Sequence, residues 1–431
     1  MNKTKAIFLG LLVGATAAFA ESEWTLEQCL KQAKSKSLKL ESAKLKEQSA
    51  DVSVKLAKTG NHPTVSANIN NSLYDHPLAD HPQNHYNLSV GLSGSYTLWD
   101  GGATSKNTEA SVLTKEATAF NTKETERSIQ ESVLNAYMSL LAAEEKLRTA
   151  NSSVELAQAE FENYGKLFEA GSITRKDLTQ SQSNVLQKQA ALLTAQLDVN
   201  TSRTTLRQLL ELPADEEIEV AIPAGSASPD SLEPLPSFEQ VMADAQSANP
   251  GLKADSISIK AAKKNTEAAG TNSSITVTLG ASIGTNMTAW QTGDYGNQLK
   301  DNYTHQITLG INIPIIDGGT TTNKVLQAQV NEAESQVSLQ EAAKTLENNI
   351  EKLYLNALSA DMQWKAAILQ VSADSEALAV AEEQRNAGAL TYTDFLTQKN
   401  SLESAQVTLT NAKYTSLLAR KLLELYQGKL D

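Results

Sequence analysis

The 431-residue chain has a single cysteine, Cys29, and no proline in residues 101–212 or 315–431. One cysteine excludes an internal disulfide and any multi-cysteine metal centre. Cys29 follows Leu26-Glu27-Gln28, which suits a face of an amphipathic helix rather than a lipid attachment site. Also missing is any run of about 18 consecutive apolar residues, so no helix is expected to span a bilayer. Basic residues are outnumbered, 37 against 50 acidic ones, for a net charge of −13, which argues against nucleic acid and anionic lipid as partners. Nothing brings together a nucleophile, a base and an oxyanion donor, and no glycine loop joins a strand to a helix with phosphate-binding side chains in place. No enzymatic activity, catalytic residue, cofactor or metal site is expected.

At the start of the chain, Lys3 and Lys5 precede the apolar run Ala6 to Val13, and Ala18-Phe19-Ala20 precedes Glu21. This pattern predicts a secretory signal peptide over residues 1–20. Its removal leaves 35 basic residues against 50 acidic ones, a mature net charge of −15.

The rest reads as one unit used twice. L-W-D-G-G-A-T (Leu98–Thr104) returns as I-I-D-G-G-T-T (Ile315–Thr321), and E-A-G-S-I-T-R-K-D-L (Glu169–Leu178) as N-A-G-A-L-T-Y-T-D-F (Asn386–Phe395), both at a spacing of 217. W-T-L-E-Q-C-L-K-Q-A (Trp24–Ala33) is echoed by P-S-F-E-Q-V-M-A-D-A (Pro236–Ala245). That period is far too long for a solenoid. The expected organisation is a first repeat over 21–212, a linker over 213–236 that holds five of the ten prolines, and a second repeat over 237–431.

Freedom from proline lets the two long segments be helices. In the first, Ile129, Val133, Ala136, Leu140, Ala143, Leu147, Ala150, Val154, Ala157, Phe161, Tyr164 and Phe168 alternate steps of four and three, the seam of a coiled coil. At the corresponding positions of the second repeat only Asp374 and Arg385 interrupt the pattern. A helix from Thr104 to Phe168 would rise roughly 95 Å. Shorter helices over 25–58 and 174–211 could stack end to end beside it, so that each repeat contributes two columns to a long tube.

Between the short and long helices the period changes to two. Tyr86, Leu88, Val90, Leu92, Gly94, Tyr96 and Leu98 alternate with small polar residues, as do Val65, Ala67 and Ile69, then Ile275 to Ile283, then Ile307 to Ile315. These are four strands, each with an apolar and a polar face, edged by Tyr74, Tyr86, Tyr96, Trp99 and Tyr303. A small antiparallel sheet packed on helices would show the same alternation. Export and the lack of an apolar spanning helix favour an outer-membrane barrel, which four strands cannot close, so other copies of the chain must complete it. The joints Asp100-Gly101-Gly102 and Asp317-Gly318-Gly319 then turn strand into helix, the glycines supplying unusual backbone angles and the aspartates capping.

This ordered set, repeated twice over essentially the whole mature chain, resembles the TolC-type outer-membrane efflux channels. The resemblance implies an α+β fold, a homotrimer whose twelve strands form one outer-membrane β-barrel continued by a periplasmic coiled-coil tunnel. It also implies outer-membrane lipid, a periplasmic adaptor protein and an inner-membrane transporter as partners, in efflux or type I secretion. The tunnel of such channels closes at its periplasmic tip, where helices turn at Gly171 and Gly388 here. Asp394 matches a position of an acidic ring; the second ring position is Thr397. Asp177 matches a residue linking neighbouring coiled coils. The arginine that partners it in the family is replaced by Leu390, leaving Arg385 and Arg175 as candidate substitutes. On pattern alone, Asp177 and Asp394 are equally first-turn acids that stabilise a helix.

His62, His76, His81 and His85 gather around the first hairpin, where a polar loop outside the cell accounts for them without a metal. Two functions are compatible with these residues: a transport conduit, or a non-conducting trimeric stalk or adhesin anchored by a barrel. A conduit requires a polar, water-filled lumen; a stalk tolerates a packed axis.

Overall fold

The computed structural model describes residues 23–75, 84–223, 228–288 and 295–430. The signal peptide expected over 1–20, and His76 and His81, lie outside them. Two compact units interleave along the chain. One takes its described residues from the segment up to Ser37, Ile129–Leu235 and Asn356–Lys421; the other comprises Leu38–Ser128, Pro236–Leu355 and Leu422–Asp431.

The first unit is helical. It contains α1 (Leu26–Lys36), the C-terminal part of α3 (Ala103–Glu169), α4 (Arg175–Leu209), the C-terminal part of α8 (Thr320–Asn386) and most of α9 (Tyr392–Tyr426). Both long helices have 67 residues and both return helices 35, and every bound of α8 and α9 lies 217 residues beyond its counterpart in α3 and α4. The expected seam is buried at Val133, Leu140, Ala143, Val154, Ala157 and Tyr164, and at Ala357, Ala360, Trp364, Ala367 and Ala381. Phe168, at its end, is exposed. Fully buried Tyr137 donates its hydroxyl to the carbonyls of Trp24 (3.0 Å) and Ala221 (2.6 Å), fastening the start of the described chain and the proline-rich linker to α3.

The second unit holds α2 (Leu38–Lys58), β1 (Thr64–Asp75), β2 (Asn84–Trp99), α5 (Phe238–Ala248), α6 (Pro250–Gly270), β3 (Thr276–Thr288), α7 (Tyr295–Asp301), β4 (Thr304–Asn312) and the N-terminal parts of α3 and α8. The strands make one antiparallel sheet in the order β1-β2-β3-β4. Its register places Ile69 opposite Val90, Leu92 opposite Ile283 and Leu279 opposite Leu309, while Ser66 faces Ser93 and Ser93 faces Ser282 on the other side. The expected faces are therefore those observed.

Three details differ from the expectation. The helix expected over 25–58 is broken at Ser37, whose backbone (φ −59°, ψ 120°) leaves the helical region after its N–H bonds Ala33. The second repeat breaks equivalently at Asn249 (φ −60°, ψ 116°), where Pro250 explains the break because the residue before a proline avoids the helical region. No proline marks Ser37. The fourth strand also ends at Asn312 rather than Ile315; Pro314, which has no N–H to give, lies just beyond. Finally, α7 is an unforeseen helix within the second hairpin. It precedes β4, and Gln298 Oε1 accepts from the Thr288 N–H (2.9 Å) while Asn302 Nδ2 donates to the Asn286 carbonyl (2.7 Å), so side chains bond the end of β3 past its pairing with β4.

Candidate functional site

The two strand-to-helix joints have nearly the same geometry. Asp100 accepts from the N–H groups of Gly102 (2.9 Å) and Thr104 (2.7 Å) and from the Thr104 hydroxyl (2.5 Å). Asp317 accepts from the N–H groups of Gly319 (2.9 Å) and Thr321 (2.8 Å). These bonds occupy amides that a helix start leaves unpaired. Partial burial opposes ionisation of Asp100, but the bonds from Thr104 and Gly102 outweigh it and the carboxyl lies below its ordinary range. Bonds from Thr321 and Gly319 lower Asp317 in the same direction. All four glycines have positive φ, from 63° to 88°. Gly101 is constrained twice, since a Cβ there would lie 2.2 Å from Ser274 Cβ.

On the sheet, the apolar face is bare in the isolated chain: Val65 is 77% and Ile307 80% exposed, with Ile69, Leu92, Leu309 and Ile311 beside them. A contiguous face of this kind marks a surface that water does not cover in the working molecule. Along residues 64–72, 87–97, 276–288 and 304–312, the opposite face of the strands carries Ser, Thr, Asn, Gln and Gly and no charge. Gly91 and Gly284 face each other across β2 and β3 so closely that a Cβ on Gly91 would approach the Ile283 carbonyl oxygen to 3.0 Å. The outer edges of β1 and β4 have no partner strand among the described residues.

In the helical unit, the two hairpins turn at Gly171 (φ 71°) and Gly388 (φ 73°). Each turn closes with the same pair of bonds, Gly171 N to Phe168 O with Ser172 N to Leu167 O, and Gly388 N to Arg385 O with Ala389 N to Gln384 O. This is the left-handed helix termination that glycine permits. Beneath the turns Tyr164, Ala381, Tyr392, Phe395 and Leu396 form a small apolar core, in which the Tyr164 and Tyr392 rings lie 4.4 Å apart. Burial pushes both phenols above their ordinary range.

The expected tip residues fall into two groups. Arg385 is drawn into a cross-hairpin cluster: its Nη1 donates to Glu160 Oε1 (2.8 Å) and its guanidinium lies 4.0 Å from the Phe395 ring centre. Glu160 Oε2 accepts in turn from Lys399 Nζ (3.1 Å), so one carboxylate on α3 holds cations from both α8 and α9. Asp177 and Asp394, by contrast, are engaged within their own first turns. Asp177 Oδ2 accepts from the Thr174 hydroxyl (2.7 Å) and N–H (3.2 Å), while the Asp177 N–H donates to Thr174 Oγ1, a reciprocal cap. Asp394 Oδ2 accepts from Thr391 Oγ1 (2.6 Å), and the carboxylate is exposed. Thr397 is exposed and donates its hydroxyl to the Thr393 carbonyl. Arg175 is the exposed first residue of α4 and joins no ion pair among the described residues. Sequence reasoning missed Glu160 and Lys399. Their only mark in the sequence is a charge on the flank of the seam, and the pairs span 225 and 239 residues.

A sheet with one bare apolar face, one neutral polar face and two open edges, joined by capped glycine turns to paired long helices, defines a barrel-forming membrane channel with a helical extension. A model of the outer membrane efflux protein family matches residues 29–211 and 241–429, and the chain belongs to that family. It is an outer-membrane channel with a periplasmic helical part, not an enzyme. It is 26% identical over 425 residues to the outer membrane efflux protein BepC of Brucella suis biovar 1, covering 95% of this chain and 86% of that one. It is 24% identical to the alkaline protease secretion protein AprF of Pseudomonas aeruginosa over 302 residues, 69% of this chain and 61% of that one. Among solved structures, CusC superposes with a TM-score of 0.80 at 19% identity, over 93% of this chain and 91% of that one. The Campylobacter jejuni CmeC outer membrane channel does so with 0.78 at 16%, over 94% and 85%.

Proposed function

We propose that this chain is the outer-membrane conduit of a tripartite assembly, working as a homotrimer with a periplasmic adaptor and an inner-membrane transporter. The observation that carries the reading is the sheet itself. Its four strands leave the edges of β1 and β4 unpaired, and in lipid every edge must find a partner. Three copies join these edges into a twelve-strand barrel with the apolar face toward lipid. The polar face then lines a lumen that carries no charge along residues 64–72, 87–97, 276–288 and 304–312, so the sign preference of the conduit is set outside these strands. The names of the relatives span efflux and protease secretion, and both remain cargo classes for this conduit.

The two repeats, 21–212 and 237–431 joined through 213–236, supply the six helical hairpins of the trimer. We assign closure of the tip to Asp394, whose exposed carboxylate would form a threefold acidic ring, and to the Glu160–Arg385–Lys399 cluster, which ties the hairpins of one protomer together. Asp177 stabilises the start of α4. The test is single-channel conductance of the purified protein in planar bilayers, with its mass in detergent measured by light scattering. A trimer that conducts supports the reading; a trimer with no conductance returns the protein to a barrel-anchored stalk.

A further inference from the structure

Both repeats carry an acid–arginine clasp between the long helix and its return helix, and the first copy is incomplete. In the second repeat, Asp361 on α8 accepts from Arg420 Nε on α9 (3.1 and 3.2 Å to its two oxygens), from Arg420 Nη2 and from the buried Ser416 hydroxyl (2.5 Å). Arg420 Nη1 also donates to the Glu233 carbonyl (2.6 Å), so one guanidinium ties the helix pair to the linker. Lys365 pairs with Asp230 in the same stretch (3.5 Å).

The positions 217 residues earlier hold Glu144, Arg203, Val199 and Arg148. Here Arg203 Nη2 makes a single bond of 3.4 Å to Glu144 Oε1, and Arg203 Nε is buried without a partner. The donor that Ser416 supplies to Asp361 is missing, because Val199 is apolar. The linker passes this clasp too, but the Glu219 carbonyl accepts from the Trp24 N–H (2.6 Å) rather than from the arginine. A cavity of about 290 Å³ is left between α3, α4 and the linker, lined by Glu23, Glu144, Glu145 and Glu219 together with Arg148 and Arg203. Glu145 is taken by Tyr414 and Lys413 of α9, and the Tyr137 hydroxyl by the carbonyls of Trp24 and Ala221. Three carboxylates, those of Glu23, Glu144 and Glu219, therefore share two guanidiniums. Burial disfavours the charge of Glu144, Arg203 offsets this only in part, Glu219 adds repulsion, and the carboxyl lies above its ordinary range.

We propose that the first-repeat clasp is a proton-operated fastening of the linker: when Glu144 takes up a proton, Arg203 turns to Glu219, so that the arginine holds the linker as Arg420 does in the second repeat. A carboxyl whose folded-state value is raised disfavours the folded arrangement above that value, and the penalty disappears as pH falls through it towards the ordinary 4.5. The linker over the first repeat thus tightens in mild acid, at higher pH than the range in which the lowered carboxyls of Asp100 and Asp317 are lost.

Hydrogen exchange of the whole protein in detergent, followed by mass spectrometry and corrected for the intrinsic effect of pH, tests this. Between about pH 7.5 and about pH 5 the segment 216–222 should become several-fold more protected, while 230–236 changes little. Glu144→Gln has no proton to take up and should show the acid level of protection throughout. Val199→Ser restores the missing donor and should move the transition to lower pH. Equal protection of 216–222 across the range, an equal change in both segments, or a transition that survives in Glu144→Gln overturns the proposal. Should Glu144→Gln not fold, Val199→Ser decides, and a transition at the wild-type pH overturns it.

Discussion

Arg385 and Glu160 are joined by a 2.8 Å ion pair between helices whose residues stand 225 apart in the chain, and Glu160 is only 10% exposed. Shielding of this kind makes removal of one partner costlier than at the surface, because loss of the carboxylate leaves two partly buried cations unmatched.

Glu160→Gln should therefore loosen the tip. Loss of charge-assisted bonds costs roughly 1.5–3 kcal/mol each in partly buried settings. Open-channel conductance is expected to rise several-fold with trimer yield unchanged. Conductance equal to wild type would move the closing contacts away from this cluster.

Asp394→Asn should weaken cation preference, because three exposed carboxylates at a constriction concentrate negative potential. Reversal potentials under a salt gradient read the effect directly, and no shift would mean that selectivity lies elsewhere. Asp177→Ala should act differently: it removes a reciprocal helix cap, costing about 1 kcal/mol of local stability, and should leave the reversal potential where it was.

Gly101→Val should be the most damaging substitution in the joints. A left-handed backbone costs an ordinary residue about 1–2 kcal/mol, and here the new Cβ also overlaps Ser274. Gly102→Val and Gly319→Val carry the backbone strain without a close obstruction. Assembled trimer recovered from membranes should fall furthest for Gly101→Val, and equal yields for all three would show that the contact with Ser274 yields freely.

Acid should weaken both joints. The folded-state carboxyls of Asp100 and Asp317 lie below the ordinary value of 3.8, so their contribution is fully present above 3.8 and is lost as pH falls through the lower folded-state values. Heat-induced dissociation of the trimer should move to lower temperature below pH 3.8, and the movement should shrink in the Asp100→Asn, Asp317→Asn double variant. An identical acid response in that variant would assign it to other carboxylates.

Much of this architecture is local and therefore legible in the sequence. Alternation along residues 86–98 set the two faces of β2 because successive side chains point to opposite sides of a strand, and the steps of four and three from Ile129 set the buried stripe of α3. The Asp-Gly-Gly joints and the turns at Gly171 and Gly388 were readable for the same reason, since a positive φ is a property of the residue and its immediate neighbours. What the chain alone left open depends on which distant groups meet. The sequence alone does not show that the Asp177 and Asp394 carboxylates are engaged by Thr174 and Thr391, which the folded first turns bring to them. Arg175 and Arg385 read alike in the sequence, whereas the folded hairpins bring Glu160 to Arg385 and leave Arg175 exposed. Periodicity specifies which face of a helix is buried, but partners on separate helices are chosen by tertiary packing. That is why Glu160 and Lys399 carried no mark of their role before the hairpins came together.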